Sequence, residues 1–122
     1  NFWGLLGSSS KILSYEDHDF LFSKTSHLPH VISYSLTDSL FKSLGERTFD
    51  FSGGSLEDYT RIASSDPLMW KDILISNHQN ILDSIEDFEE SLASLKNLIK
   101  NKDEKALVDY FNKVKISRDN SV

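Results

Sequence analysis

The sequence contains no cysteine, and proline occurs only twice in 122 residues. The absence of cysteine excludes disulfides and thiolate metal sites, and because it fits a reducing compartment we expect a cytoplasmic protein. No apolar run approaches the roughly 20 residues needed to span a bilayer, so no membrane association is expected. A Gly-x-Gly-x-x-Gly fingerprint and any alternation of strand and helix patterns are also missing. The sequence therefore predicts no dinucleotide site of its own.

Positive charge is scarce as well. The chain has 13 basic and 19 acidic side chains, which gives a formal net charge of −6. Such a balance argues against nucleic acid or an anionic membrane as a partner. A negatively charged substrate would have to be held by a local cation, since the overall field repels it. With 39% hydrophobic and 26% charged residues, the composition is that of one ordinary globular domain over residues 1–122.

Helical patterns follow one another along the chain and predict an all-α fold. Residues 2–13 are expected to form a short lead-in, and 46–56 a loop. The expected helices span about 15–26, 29–44, 55–64 and 67–101, the last with a break near Asn77, and a final helix follows Asp103.

The helix boundaries rest on capping signals. Pro29 should separate the first two helices because it has no backbone N–H to donate. Gly45 is a C-terminal stop, and Ser55 is a candidate N-cap for the short helix. Asp66 followed by Pro67 is a strong helix start.

The long helix carries an apolar seam in which residues recur at spacings of four and three. Its members are Ile81, Ile85, Phe88, Leu92, Leu95 and Ile99. Such a stripe is either the inner face of a helix within one copy or a two-fold interface between two copies. Few partner helices of comparable length are available, so both interpretations stay open.

Three of the four histidines cluster with an aspartate early in the chain: His18, Asp19, His27 and His30. A metal site is one interpretation, but Pro29 disturbs the helical spacing and no glutamate occupies a zincin-like position. A histidine hydrogen-bonded to backbone is the commoner outcome. A third possibility is a neutral donor that points at a ligand from a helix break.

A second cluster follows the diglycine Gly53-Gly54. Asp58 and Arg61 are three residues apart, so on a helix they share a face and can form a surface ion pair. The alternative is a guanidinium that grips a carboxylate with two hydrogen bonds. Trp70, in the first turn after Pro67, is either a core aromatic or a pocket wall.

At these two clusters the sequence resembles the prephenate dehydrogenase family, which includes arogenate dehydrogenases. The family's carboxyl-terminal domain typically reads His-Asp, then Ser-His-Leu-Pro-His, then Asp-x-Thr-Arg-Ile-Ala-x-Ser-Asp-Pro-x-Met-Trp after a glycine-rich loop. The matching segments here are His18-Asp19, Ser26-His27-Leu28-Pro29-His30, and Asp58 through Trp70. They occur in family order and at family-like spacing. The resemblance extends from about Leu13 to the last helix, with Ser55 where the family often has a third glycine.

The resemblance implies a helical bundle that forms an intertwined homodimer, similar to the 6-phosphogluconate dehydrogenase C-terminal-like helical domain. The implied enzyme oxidatively decarboxylates prephenate to 4-hydroxyphenylpyruvate with NAD or NADP, on the route to tyrosine. In the family, the nucleotide-binding fold and the catalytic histidine belong to an amino-terminal domain, which these 122 residues do not include. We therefore expect no catalytic, cofactor or metal residue in this chain, and no activity from it alone.

Six positions match the family's substrate pocket: Arg61, His30, Gly54, Asp58, Trp70 and His27. The resemblance implies that Arg61 binds a substrate carboxylate, that His30 hydrogen-bonds to substrate, and that the backbone of Gly54 approaches it. Asp58 would join an ionic network near the pocket entrance, and Trp70 would reach the pocket across the dimer. His27 belongs to the motif and is counted with the pocket, but the resemblance implies no definite role for it, and a structural role is one interpretation.

Two other hypotheses remain at this point. One is a stand-alone helical interaction module without catalysis. The other is a metal-dependent hydrolase built on the histidine cluster. Between prephenate and arogenate, which differ in a pyruvyl or an amino-acid side chain, no residue decides.

Overall fold

The computed structural model describes residues 14–122, and the lead-in expected over 2–13 lies outside this range. The described residues are helical with short connections and contain no strand, so the all-α prediction is confirmed. No helix among them is both long and apolar enough to cross a bilayer. The elements are α1 (Tyr15–Phe22), a π turn (Ser23–His27), α2 (Leu28–Leu44), a 3₁₀ turn (Gly45–Arg47), α3 (Gly54–Arg61), a second 3₁₀ turn (Ile62–Ser64), α4 (Pro67–Ser76), α5 (His78–Lys100) and α6 (Glu104–Ser121).

The predicted interruption at Pro29 is wrong, because the chain stays helical from α1 into α2. The π turn between them is wider by one residue, and the N–H of Leu28 donates to the carbonyl of Ser23, five residues back. Pro29 lies in the first turn of α2, directly after this wider turn, which is a place where a helix accommodates a residue without an N–H. The wide turn contains both Ser26 and His27.

Most of the predicted boundaries are confirmed. The carboxylate of Asp66 accepts from the N–H of Leu68 at 3.0 Å, and that of Asp103 accepts from the N–H of Ala106 at 3.1 Å. Gly45 ends α2 with a φ of 57°, a left-handed conformation that favours glycine. Ser55 is not a cap. Helix α3 begins one residue earlier, after an extended Gly53 and without a side-chain cap.

The described chain divides into two compact units, of which the first comprises residues 15–85. Its buried apolar side chains are Trp70 and Ile81, at 7% and 4% exposure. The other buried side chains are small or polar, and several link helices that are distant in sequence. Ser33 on α2 donates to the carbonyl of Tyr59 at 2.7 Å. In this unit, specific hydrogen bonds supplement a small apolar core.

The second unit contains residues 86–122, that is the end of α5 and all of α6. No side chain of this range is buried. Large apolar side chains are about half exposed: Leu92, Ile99, Val108, Phe111, Val114 and Ile116. The predicted seam is therefore buried in one copy at Ile81, at its beginning, and open at Leu92 and Ile99, toward its end.

Candidate functional site

A stacked pair of rings lies at the centre of the first unit. The imidazole of His30 lies over the indole of Trp70, with ring centroids 3.8 Å apart and planes tilted by 21°. The Nδ1 of His30 is 2.8 Å from the carbonyl oxygen of Ser26, so Nδ1–H donates to that carbonyl. This bond leaves Nε2 of His30 to face other partners. Helix α4 brings Trp70 here because its start is fixed by the cap at Asp66.

The indole N–H of Trp70 is buried without an acceptor among the described residues. A buried donor of this kind costs stability and calls for an explanation. Trp70 also lines a small, mostly apolar cavity of about 400 Å³ with Tyr34, Leu74 and Ile75. The ring is thus bounded by His30 on one face and lies beside an apolar recess. Its reach into the pocket across a dimer stays a prediction.

The second imidazole, His27, meets the same indole edge-on at a centroid distance of 5.8 Å. Its Nδ1 is 3.2 Å from the amide nitrogen of Asn77, which lies between α4 and α5. Burial lowers the pKa of His27 below its ordinary value of 6.5, and the nearby His30 and His18 lower it further, while Asp19 opposes them. His27 is therefore a neutral imidazole at pH 7.

The four clustered groups do not form a metal site. No set of three or more histidine, aspartate or glutamate side chains within residues 14–122 is arranged to hold an ion. The Nδ1 of His18 instead lies 3.3 Å from Asp19 Oδ1, and its ring packs on Phe22 at 4.2 Å. The observed arrangement separates His18 from the rings around Trp70 and gives it a local partner.

Arg61 lies on the rim of a larger and open cavity of about 780 Å³. Its side chain is 77% exposed, and its guanidinium lies 3.5 Å from the carboxylate of Asp58, so the expected ion pair forms but leaves most of the donors uncommitted. The walls include Thr37, Phe41 and Phe49. Among the lining residues within 14–122, Arg61 is the one cation, and Glu57 and Asp58 are the anions. An anionic ligand here would have to pair with Arg61.

Gly54 is the first residue of α3 and follows the extended Gly53. A Cβ built on either glycine would meet no atom within 4 Å. Nothing in the described chain therefore requires glycine at these positions for space. The open side of this bend is available to a molecule that the chain does not itself contain.

The six candidate residues form two groups. His27 and His30 both contact Trp70, whereas Asp58 and Arg61 line the larger cavity, and Gly54 begins their helix. Sequence reasoning missed three wall residues of the large cavity, Thr37, Phe41 and Phe49, because nothing in their spacing distinguishes them from ordinary helix and loop positions. It also missed the role of Asn77, which it used only as a helix break. The available signal was a polar residue at a break between two apolar stretches.

Comparison with known structures identifies the class. Prephenate dehydrogenase from A. aeolicus, solved in complex with hydroxyphenyl propionate and NAD+, superposes with a TM-score of 0.81 at 44% sequence identity. The match covers 88% of this chain and 38% of that one. Fold and residue pattern are therefore both similar to those of the helical part of that dehydrogenase.

The family follows from the sequence comparisons. The protein-family model described as "Prephenate dehydrogenase, dimerization domain" matches residues 14–113, and the chain belongs to this family. It is 36% identical over 109 residues to a prephenate dehydrogenase of Bacillus subtilis, covering 88% of this chain and 29% of that protein. It is 33% identical over 114 residues to a cyclohexadienyl dehydrogenase of Zymomonas mobilis, covering 91% of this chain and 39% of that protein. The chain thus spans well under half the length of these relatives.

Proposed function

We propose that this chain is the substrate-binding and dimer-forming part of a prephenate dehydrogenase that works in the tyrosine pathway. The observation that carries the proposal is the position of Arg61, an exposed guanidinium on the rim of a 780 Å³ cavity in a member of this family. The A. aeolicus relative binds hydroxyphenyl propionate, which combines an aromatic ring with a carboxylate. Prephenate likewise combines a six-membered ring with two carboxylates.

The chemistry assigned to this chain is binding and orientation. Arg61 holds a carboxylate of the substrate, and the cavity walls exclude water from one side of it. His30 offers its Nε2 to the substrate from its stack on Trp70. Asp58 tethers the guanidinium in an ionic network at the entrance, and the open bend at Gly54 lets the substrate approach the backbone.

NAD or NADP supplies the hydride acceptor in the proposed reaction, while carbon dioxide leaves and the ring becomes aromatic. The described residues do not fit this cofactor, because they include no strand and no glycine-rich phosphate loop. We therefore assign the cofactor to the protein's amino-terminal nucleotide-binding domain. That domain is the proposed partner of this chain, and the cytoplasm is the proposed compartment.

A homodimer is the proposed assembly. Two helical segments over 86–122 bury no side chain, although they carry six large apolar residues that are about half exposed. Apolar side chains left this open on two helices are suited to an interface. A second copy of the chain is the proposed occupant, since the family model is that of a dimerization domain.

The test is a comparison of two substrates with the full-length protein that contains this chain. We expect prephenate to be converted with formation of reduced nucleotide, carbon dioxide and 4-hydroxyphenylpyruvate, and the 122-residue chain alone to be inactive. A strong preference for arogenate would mean that the substrate is this amino-acid counterpart of prephenate. If a folded protein that binds the nucleotide converts neither compound, the proposed function is wrong and the alternative is a helical interaction module without catalysis.

A further inference from the structure

Asn77 is fixed at the junction of α4 and α5. Its backbone N–H donates to the carbonyl of Ile73 at 3.0 Å, and its carbonyl accepts from the N–H of Ile81 at 3.1 Å. Only 7% of the residue is exposed. An asparagine held in this way from both helices has a side chain with little freedom, so the partners of its amide group are specific.

The orientation of the amide follows from its contacts. Its Nδ2 lies 2.8 Å from the backbone carbonyl oxygen of Asp19. A carbonyl oxygen can only accept, so the nitrogen and not the oxygen of Asn77 must face it. On its other side, Oδ1 accepts from Nδ2 of Asn80 at 2.9 Å. One N–H of the amide is therefore left for the Nδ1 of His27, at 3.2 Å.

We propose that Asn77 is a positioning residue that holds His27 as the neutral tautomer with its proton on Nε2. Because the amide nitrogen can only donate, Nδ1 of His27 must accept, and the single ring proton is then on the other nitrogen. The ring consequently offers a hydrogen-bond donor, not an acceptor, to a bound molecule. This part of the role rests on the proposed function.

The two imidazoles beside Trp70 are then complementary. His30 uses its Nδ1–H on the carbonyl of Ser26, so its Nε2 is an acceptor in the neutral ring. His27 uses its Nδ1 on Asn77, so its Nε2–H is a donor. A donor of this kind suits a carboxylate or keto oxygen, and an acceptor suits a hydroxyl. The proposed substrate class, a hydroxylated ring acid with a keto side chain, carries all three groups.

Protonation of His27 would work against this arrangement. It would turn an Nδ1–H toward the amide N–H of Asn77, two donors facing each other. The titratable groups near the ring are Asp19 and His18 from α1 and His30 from α2. Burial is the largest effect and leaves the pKa of His27 lowered, although Asp19 opposes it. Its other ring neighbour, Trp70 on α4, is uncharged. The neutral form is therefore favoured by contact and by environment.

The direct test is nitrogen NMR of the 122-residue chain with ¹⁵N-labelled histidine. We expect the resonances of His27 to show an unprotonated Nδ1 and a protonated Nε2 at neutral pH. In Asn77→Asp the carboxylate accepts from the ring, so the proton should move to Nδ1 and the titration midpoint of His27 should rise by about one unit. Asn80→Ala removes a bond to the same amide but keeps both of its N–H donors, so the tautomer should not change.

A protonated Nδ1 in the unmodified chain would overturn the inference, whether or not any variant folds. A folded Asn77→Asp variant in which His27 keeps its proton on Nε2 would overturn the inference as well. Neither result touches the proposed function, because the substrate assay is independent of both.

The kinetic test uses the full-length protein. We expect Asn77→Ala to raise the Michaelis constant for prephenate about tenfold with a much smaller change in kcat, since a hydrogen bond to an anionic group is weakened. Asn80→Ala should stay within about twofold. If the tautomer is as predicted but Asn77→Ala has unchanged kinetics, the positioning role is overturned. If the unmodified protein does not turn over prephenate at all, the proposed function fails while the tautomer assignment stands.

Discussion

Replacing Arg61 with alanine separates substrate binding from folding, because the guanidinium contributes little to stability in this chain. It is 77% exposed, and its one ion-pair partner, Asp58, is 74% exposed at a distance of 3.5 Å. An exposed pair of this kind contributes less than about 1 kcal/mol to the free energy of unfolding. We therefore expect Arg61→Ala to fold normally, with a melting temperature lowered by no more than a few degrees.

The effect on substrate binding should be much larger. A charge-assisted hydrogen-bond pair between a guanidinium and a carboxylate contributes about 1.5–3 kcal/mol, which corresponds to a rise in the Michaelis constant of roughly 10- to 150-fold. Steady-state kinetics of the full-length enzyme with prephenate measures this change directly. The dissociation constant for NAD should stay unchanged, since no described residue of this chain is assigned to the cofactor.

Asp58→Asn is the matched control for Arg61→Ala. It breaks the same ion pair but leaves the guanidinium in place, so the Michaelis constant should change by less than about threefold. Kinetic constants of Arg61→Ala within about twofold of the unmodified enzyme would remove Arg61 from the substrate site. An equally large effect of both variants would mean that the ion pair itself, and not a bound carboxylate, is what matters.

Three further predictions concern the rings and the open seam. His30→Asn should raise the Michaelis constant for prephenate without changing the affinity for NAD; a large loss of nucleotide binding would contradict the assignment of this chain to the substrate. Because the pKa of His27 is lowered in the folded state, the unfolded chain binds a proton at this residue more readily. The melting temperature should therefore be highest above about pH 6.5 and fall as the pH decreases below it. His27→Gln should make this fall smaller. Leu92→Asp should convert a dimer into monomers in light scattering because it places a charge on the open seam, whereas Asn97→Asp, on the opposite side of the same helix, should not.

The helical fold was predictable because its boundaries depend on local chemistry. Asp66 and Asp103 cap helices through their own side chains, and Gly45 takes the left-handed conformation that the end of α2 requires. Pro29 shows the limit of such reasoning. Its tolerance depends on a π turn in the preceding residues, and no propensity rule marks that turn in advance.

The site was predictable in its members but not in its arrangement. The motif resemblance selected His30, Arg61 and Trp70, yet it could not show that the first and last stack at 3.8 Å or that Arg61 lines a cavity with Phe41 and Phe49. The role of Asn77 could not be predicted from the sequence for a related reason. Its amide contacts Asp19 and His27, which are 58 and 50 residues away in sequence, and such contacts are set by how helices pack.

The scarcity of buried apolar side chains connects the fold to the proposed assembly. Among the described residues Trp70 and Ile81 are the fully buried large apolar side chains, and many others are only half-buried, so much apolar surface stays open in one copy. Apolar residues of 86–122 that are half exposed supply the missing burial if a second copy covers them. Stability and dimer formation would then be the same equilibrium. Dilution of the chain should accordingly lower its melting temperature, and a melting temperature independent of concentration over a hundredfold range would show that one copy is stable by itself.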